Sequence, residues 1–522
     1  MDRRTGLAIL ICMAILLGWQ KFFVEPRMVA PTSNPVAQTI PQGAQQQTPE
    51  STPQGMPAAT PATPSQKKPA QTLTLQGPNG QIVLDEGGSF LSDWILKDFK
   101  QGMSQDAPQI DLRSVTHQQG QMQLAFDDSS LAYLNDVQGT LKATPQGAVW
   151  TYEDSNVKLA REFIVSPQSN HLDARITAEF KTRSPRFAFI SMVSQGTGQD
   201  QEAQDQQLLY WHQGVERVQL KDTLDQKQIA SPVKFIAATS RYFILAAVDE
   251  SPIAPNGLQQ PAGLKAGRIS LVYPVTTNSI QIPLKIYFGP KELEALRQVD
   301  PTLDHAIDFG WFTVCAYPLL KLLKWLHQFV LNYGISIILL TLLLKVLTFP
   351  LNYKSMKNMK NMARLQPQLQ RIKERYKDDK EALNREMLSL MKNHGYNPMA
   401  GCLPVLIQMP IFFALYRVLY SSIELYHAPF GLWIHDLSSR DPYYITPVLL
   451  SLTMFIQQKL TPNTATDPAQ ARMMQLMPLI FGAFMIALPS GLTLYMLVNA
   501  LASIAQQVFL NKKLDIKPAS AV

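Results

Sequence analysis

The sequence predicts an α-helical polytopic membrane protein with six transmembrane helices, five of them forming a core, a large β-sandwich domain and a helical hairpin. Three observations predict this fold class. Apolar runs of bilayer length lie near the N-terminus and in the part of the chain after residue 332. Alternating polar and apolar residues fill most of the region between them. Basic residues cluster beside the apolar runs.

The positions of the basic residues indicate a membrane protein rather than a nucleic-acid-binding protein. The 522 residues carry a formal net charge of +7, and the sequence pI is about 9.0. Because the basic residues flank apolar spans, they indicate a membrane surface rather than a nucleic-acid stripe, and we expect no direct sequence-specific nucleic-acid binding. Cys12, Cys315 and Cys402 show neither a disulfide framework nor zinc spacing, so no metal or cofactor is expected.

Residues 1–25 are predicted to form an N-terminal transmembrane anchor. Arg3 and Arg4 precede the apolar run Gly6 to Val24, which is longer than a usual signal peptide core and has no convincing cleavage site. The two arginines place the N-terminus in the cytoplasm. Residues 26–72 are rich in Pro and Gln and poor in large apolar residues, which is typical of a disordered linker.

Residues 73–300 are predicted to form the β-sandwich domain. Short alternating runs recur here, among them Val157 to Val165 and Lys234 to Val248, and Gly, Pro, Asn and Asp separate them. The histidines of this region show no ligand spacing, and Gly196-Thr197-Gly198 lacks the third glycine of a dinucleotide loop. A structural role is therefore favoured, although a cleft for a sugar or a peptide stays open as an alternative.

Residues 301–332 are predicted to form an interfacial amphipathic helix and its lead-in to the next span. Aromatic residues dominate Phe309 to Tyr317, and aromatic side chains favour the headgroup zone. We expect a helix lying in the membrane interface over this stretch. An ordinary amphipathic helix packed on the sandwich is the alternative.

Residues 333–350 are predicted to be the second transmembrane helix, and Lys345 is its only charged residue. A charge near the bilayer centre costs about 3 kcal/mol or more, so something must offset it. Either the ammonium extends along lipid to the headgroups, or it faces a wet cavity inside the helix bundle. The polar residues of the neighbouring spans favour the cavity.

Residues 351–400 are predicted to form a helical hairpin with a turn at Tyr376 to Lys380, and they are strongly basic. A short loop rich in Lys and Arg stays in the cytoplasm, and this one is a plausible docking surface for a ribosome or targeting factors. Residues 401–522 are predicted to hold transmembrane helices 3–6 and a basic C-terminal tail. The predicted spans are Cys402 to Tyr420, Tyr444 to Gln458, Met474 to Leu488 and Leu492 to Leu510.

Polar residues interrupt three of these apolar spans and define the candidate site. Such residues often only join helices, at about 0.6 kcal/mol each. Here several coincide in type and depth, and together they are enough to line a hydrated, client-binding groove. The predicted groove residues are Lys345, Thr341, Gln408, Tyr495, Ser503 and Gln506.

The C-terminal spans carry specific sequence runs. These are Asn397-Pro398-Met399-Ala400-Gly401-Cys402-Leu403-Pro404, Leu406-Ile407-Gln408-Met409-Pro410-Ile411-Phe412, Leu432-Trp433-Ile434-His435-Asp436-Leu437, Asp441-Pro442-Tyr443-Tyr444 and Pro489-Ser490-Gly491-Leu492. With them, the chain resembles the YidC/Oxa/Alb membrane protein insertases over essentially its whole length, in the layout of the Gram-negative members.

The resemblance implies five core helices around a groove that is open to lipid and cytoplasm and closed toward the periplasm. It also implies a periplasmic supersandwich, similar to sugar-binding folds, in a protein of the bacterial inner membrane with both termini in the cytoplasm. Partners would be nascent inner-membrane proteins, the Sec translocon and the lipid bilayer. Lys345 stands where the family usually has arginine, and Met496 follows Tyr495 where a second aromatic residue is common.

The function expected from this resemblance is that of a membrane protein insertase and chaperone without enzymatic activity. An acidic client tail would be drawn to Lys345, and the client's apolar segment would pass into lipid. An ion- or proton-coupled transporter is a rival function, although we see no inverted repeats. A membrane-anchored periplasmic sugar-binding or sugar-modifying protein is a second rival, and a structural scaffold for the Sec machinery is a third.

Overall fold

The computed structural model describes residues 71–87, 91–112, 122–167, 171–195, 206–220, 224–263, 265–376, 379–393, 403–460 and 468–514. The predicted anchor and nearly all of the predicted linker lie outside these residues. The chain divides into two compact units. The first extends to Ala306, except for Gly102–Ala107, and holds the strands, whereas the second begins at Ile307 and is helical.

The first unit consists of antiparallel sheets, as the alternating pattern predicts. Its strands are β1 (Thr72–Gly77), β2 (Gly80–Asp85), β3 (Asp93–Lys100), β4 (Gln109–Asp111), β5 (Met122–Phe126), β6 (Thr140–Thr144), β7 (Gly147–Glu153), β8 (Val157–Val165), β9 (His171–Phe180), β10 (Phe187–Gln195), β11 (Gln207–Trp211), β12 (Val215–Gln219), β13 (Lys227–Ile229), β14 (Phe235–Thr239), β15 (Phe243–Asp249), β16 (Asn256–Gly263), β17 (Ala266–Pro274) and β18 (Ser279–Pro290). They form sheets in the orders β1-β2-β3-β4, β13-β16-β17-β10-β5 and β12-β11-β14-β15-β18-β9-β8-β7-β6.

The second and third of these sheets pack against each other as a sandwich. The rings of Phe126 in β5 and Phe180 in β9 meet edge to face at 5.3 Å. The hydroxyl of Tyr273 in β17 donates to Asp249 in β15 over 2.9 Å. The run Lys234 to Val248, which reads as one alternating stretch, is two strands in the structure. Ser240, Arg241 and Tyr242 lie between them, in a turn closed by the Ser240 N–H donating to the Phe243 carbonyl.

The second unit is helical, and a short helix also ends the first unit. The helices are α1 (Leu293–Val299), α2 (Thr313–Val330), α3 (Tyr333–Arg375), α4 (Lys380–Asn393), α5 (Leu403–Ser421), α6 (Ile445–Leu460), α7 (Pro468–Met485) and α8 (Ser490–Leu514). Within the part of the chain that the structure describes, Tyr333–Lys354 and Ser490–Lys512 are long and apolar enough to cross a membrane. A shorter apolar helix covers Gln475–Met485.

Three helix boundaries differ from those predicted. The stretch Phe309 to Tyr317 is not one helix, because a 3₁₀ turn covers Gly310–Phe312 and α2 begins at Thr313. Helix α3 does not stop at Pro350 but continues for another 25 residues to Arg375, so the second span and the first arm of the hairpin are one helix. Among the described residues, helix α7 extends from Pro468, six residues before the predicted span.

The hairpin turn and the remaining helix ends lie close to their predicted positions. Helix α3 ends at Arg375 and α4 begins at Lys380, where the sequence predicts the turn. The two helices contact each other. In the membrane part, α8 packs against both α6 and α3. The packing of α8 against α3 brings Lys345 beside Ser503.

Candidate functional site

Lys345 lies inside the helical unit rather than on its surface. Only 9% of the residue is exposed, and its Nζ donates a hydrogen bond of 2.7 Å to the Ser503 hydroxyl on α8. The Ser503 hydroxyl donates in turn to the Asn499 carbonyl over 2.7 Å. Among the described residues, no carboxylate pairs with Lys345. A buried ammonium bonded to a neutral acceptor is poorly compensated, and it favours the arrival of an anion.

Gln506 holds α8 against α3 on the C-terminal side of Lys345. Its Nε2 donates to the Lys345 carbonyl over 3.1 Å, and its Oε1 accepts from Asn352 Nδ2 over 3.3 Å. Sequence reasoning missed Asn352, because it follows the apolar run and stands among charged residues. Gln506 was expected to hydrate a client, whereas both ends of its amide bond to α3 in the structure.

The other predicted groove residues occupy different environments. Gln408 on α5 donates from Nε2 to the Tyr495 hydroxyl on α8 over 3.4 Å. Tyr495 is otherwise buried, with 2% of the residue exposed. Thr341 is 1% exposed, and its hydroxyl donates to the Ile337 carbonyl of its own helix over 2.6 Å. The structure therefore joins Lys345, Ser503 and Gln506 in one cluster and Gln408 and Tyr495 in a second, and Thr341 bonds within its own helix.

A loop covers the end of the bundle at which α3, α6 and α8 begin. We call this end, formed by residues 422–444 with the first turns of those helices, the capped end. Asn332 caps α3 by accepting from the Ile335 N–H, and its Nδ2 donates to the carbonyls of Pro429 and Phe430. Gly334 allows this approach, since a Cβ there would lie 2.1 Å from the ring of Phe430.

The same loop binds the first turn of α8 through its backbone. The Ser490 N–H donates to the Ser439 carbonyl over 2.7 Å, and the Gly491 N–H donates to the Leu437 carbonyl over 2.9 Å. These are amides that a helix leaves without a partner at its N-terminus. The Ser490 hydroxyl adds a bond of 2.6 Å to the Asp436 carbonyl. The start of α8 is thus closed by the loop.

Asp441 joins the loop to α6 with a complete set of hydrogen bonds. It accepts from the Thr446 N–H at 2.7 Å, the Thr446 hydroxyl at 2.6 Å, the Tyr443 N–H at 3.0 Å and Trp433 Nε1 at 3.3 Å. The Thr446 hydroxyl lies 3.1 Å from that of Thr493 on α8. Asp441 is 2% exposed. Four donors offset the cost of burying this carboxylate.

Two family models match the chain and together cover most of it. The model described as the YidC periplasmic domain matches residues 72–322, and the model described as the 60Kd inner membrane protein matches residues 325–517.

Relatives named membrane protein insertase YidC align with nearly the whole chain. The protein from Maridesulfovibrio salexigens is 33% identical over 554 residues, which covers 97% of this chain and 98% of the relative. The one from Geobacter metallireducens is 32% identical and covers 98% and 99%. An alignment with the Geotalea daltonii protein reaches 43% identity but spans 55% of each chain.

A chain with an apolar helical unit, a large antiparallel sheet unit and a buried lone cation belongs to the class of multi-domain membrane proteins. The relatives define that class further: the chain belongs to the YidC family of membrane protein insertases. The three relatives quoted above are all named membrane protein insertase YidC.

Two solved structures with likeness to this chain are distant from it in sequence. A YidC insertase structure with its first transmembrane domain resolved is 18% identical, with a TM-score of 0.36, and the likeness covers 84% of this chain and 92% of that one. A putative aldose 1-epimerase from Escherichia coli K12 is 8% identical over 42% of this chain, with a TM-score of 0.28. The family assignment therefore depends on the sequence relatives and family models alone.

Proposed function

We propose that this chain inserts and folds inner-membrane proteins, alone or beside the Sec translocon, through a hydrophilic groove whose charge is Lys345. The observation that carries the proposal is the buried ammonium with its hydrogen bond to Ser503. This contact directs Nζ toward α8 rather than along lipid to the headgroups. Such an ammonium has two further N–H groups with which to bind an anionic client.

Electrostatics explains why an acidic tail would be drawn in. Two unit charges 4 Å apart attract by about 1 kcal/mol in water and by about 4 kcal/mol at an effective dielectric constant near 20. The second value suits a partly buried site, and desolvation of the client carboxylate offsets part of it. Lysine lacks the bidentate fork of arginine, so capture depends on charge more than on geometry.

The polar side chains near Lys345 have different expected roles during insertion. Gln408 and Tyr495 would hydrate the tail in transit, since their mutual hydrogen bond is long and can be exchanged. Thr341 and Ser503 would contribute hydroxyls, and Gln506 would keep α8 at its distance from α3. The client's apolar segment then enters lipid, where burial yields about 25 cal/mol per Å².

The orientation follows from the charge distribution. Six spans with the sheet unit in the periplasm and both termini in the cytoplasm satisfy the preference of Lys and Arg for the cytoplasmic side. The basic arm of α3 beyond Lys354, helix α4 and the C-terminal tail would then face the cytoplasm. Their positive charge suits a ribosome or a targeting factor, which presents anionic surface.

The test is insertion by reconstituted full-length protein of clients that differ only in the number of acidic residues in the tail. We expect Lys345→Ala to slow insertion of a client with acidic residues about tenfold, equivalent to about 1.4 kcal/mol, and to leave an uncharged tail unaffected. Lys354→Ala is the matched control, because it removes one exposed cation from the same helix. Lys345→Arg should retain insertion.

Equal insertion of all clients by Lys345→Ala would remove Lys345 from the mechanism. Ion flux through the wild-type protein in liposomes that contain no client would instead favour a transporter.

A further inference from the structure

A cavity of about 100 Å³ lies at the capped end, between the loop and the first turns of α6 and α8. Residues 430–434 of the loop form one wall, Leu449 of α6 lies on another, and Leu494 and Leu497 of α8 form the third. Leu494 precedes Ser503 by nine residues, about two and a half turns, so the two side chains project from opposite sides of α8. The cavity is therefore separate from the groove that contains Lys345.

The polar groups on the cavity wall are bonded elsewhere. Thr446 and Trp433, which both line the cavity, donate from their side chains to the Asp441 carboxylate. In the loop, the Gly431 N–H donates to the Ile434 carbonyl, and the Ile434 N–H donates to the Gly431 carbonyl. A cavity with such a wall excludes water and accepts apolar molecules, since an apolar cavity of about 150 Å³ stays dry and binds benzene. Its occupant is therefore expected to be apolar.

The cavity opens between the tip of the loop and α6. Leu432 is 81% exposed and Leu449 is 40% exposed, whereas Leu494 and Leu497 are buried and form the floor. Leu432 has a φ of 55°, a left-handed conformation that costs a leucine about 1 kcal/mol or more. The loop thus holds a strained and exposed leucine at the mouth of the cavity.

The mouth is continuous with an exposed apolar face of α6. Large apolar side chains are exposed along this helix at helical spacing: Val448, Leu449, Leu452, Phe455 and Ile456. In a chain of a membrane protein family, an apolar helix face that the protein leaves uncovered is a surface for lipid acyl chains. An acyl chain that lies along this face reaches the mouth of the cavity at Leu449.

We propose that the cavity is a lipid site, in which part of one phospholipid acyl chain, from the leaflet at the capped end, lies between Leu432 and Leu449. Bilayer lipid is as apolar as the cavity wall, so close packing holds the chain there rather than the hydrophobic effect. The site goes beyond the proposed function, because it depends on the membrane location of the family and not on the groove.

The experiment uses Trp433 as a reporter of acyl chains in the cavity. The full-length protein is placed in nanodiscs that contain a phospholipid brominated in the upper half of one acyl chain, because bromine quenches tryptophan fluorescence on contact. The fluorescence of Trp433 alone is the difference between each protein and its Trp433→Phe counterpart, which cancels the other tryptophans. We expect this difference to be quenched in direct proportion to the brominated fraction, as for a site that holds one chain. Contact with several chains at an open surface would give a curve.

Matched substitutions on α8 separate the cavity from the surrounding lipid. Leu497→Phe places a larger side chain in the cavity, so the quenching of Trp433 should fall about twofold. Leu494→Phe is a second filling variant with the same expected result. Leu501→Phe is the control, because it makes the same substitution one turn beyond Leu497 at an exposed position, and its quenching should match that of the wild type. A lipid brominated near the chain end should quench less, since the cavity lies at the start of both helices.

Equal quenching of Trp433 in the wild type and in both filling variants would overturn the proposal. An unquenched Trp433 in the wild type would also overturn it, because the cavity would then be closed to lipid or occupied by another molecule. If neither filling variant folds, the titration decides, and a curve typical of several chains would refute a site for one chain. Failure of the wild-type protein to insert clients would sink the proposed function and leave this quenching pattern unchanged.

Discussion

Two buried charges beside helix α8, one at its start and one at its middle, differ in how completely they are hydrogen-bonded. At the capped end, the Asp441 carboxylate accepts hydrogen bonds from four donors supplied by the loop and α6. At the middle of the helix, the Lys345 ammonium has, among the described residues, one neutral acceptor, Ser503. A charge whose hydrogen bonds are complete serves the structure, because nothing remains for a ligand to satisfy. A charge with unused donors is held ready for a partner that is not part of the chain.

This contrast predicts that the two charges have opposite effects on stability. Removing Asp441 leaves four donors unsatisfied in a buried site, whereas removing Lys345 relieves a desolvation cost. We expect Asp441→Ala to lower the free energy of unfolding by about 3 kcal/mol and Lys345→Ala to leave it unchanged or higher. Thermal unfolding of both variants in one detergent measures this difference. A loss of equal size in both would break the comparison.

The second prediction concerns a variant in which the Lys345 ammonium gains a carboxylate partner within the protein. In Ser503→Asp, a carboxylate replaces the hydroxyl that lies 2.7 Å from Lys345 Nζ, so an internal ion pair occupies the ammonium. We expect insertion of acidic-tail clients to fall about tenfold, equivalent to about 1.4 kcal/mol, as in Lys345→Ala. Insertion by Ser503→Asn, which is similar in size and neutral, should stay close to that of the wild type. Undiminished insertion by Ser503→Asp would show that the ammonium need not be free.

The third prediction, with the smallest effect, concerns the pH dependence of the capped end. Burial raises the pKa of Asp441, but hydrogen bonds from Thr446, Tyr443 and Trp433 outweigh it, so the pKa lies below its usual value. The stability that Asp441 contributes is therefore present above about pH 4 and is lost as the pH falls through the folded-state pKa. Below about pH 4, the unfolding midpoint should fall more steeply in the wild type than in Asp441→Asn. Parallel curves would contradict this role.

The sequence predicts the part of the site in which a residue differs in polarity from its neighbours in the chain. Lys345 is conspicuous because it is the only charge in an apolar run, and the structure places it inside the helical unit. Period-two alternation likewise predicts strand β8, whose bounds, Val157 to Val165, agree with the pattern. In both cases the signal lies within one segment, so no knowledge of tertiary contacts is needed.

The parts that the sequence does not reveal depend on distant segments meeting. Asp441 appears in the sequence only as a member of a family motif, because its partners Trp433 and Thr446 are brought to it by the fold of the loop. Asn352 is one amide among many polar residues until Gln506 lies beside it. The continuation of α3 past Pro350 was missed because proline in a helix interior usually ends it.

The length of helix α3 has a mechanical consequence. As one helix of 43 residues, it extends for about 65 Å at 1.5 Å per residue. Arg375 lies 30 residues beyond Lys345, so a tilt of about 5° centred on Lys345 displaces the far tip by about 4 Å. With Lys345 as the pivot, the helix acts as a lever whose short arm ends at Tyr333 and whose long arm carries the basic residues beyond Lys354. A partner bound to the long arm would therefore act on the same helix that holds Lys345.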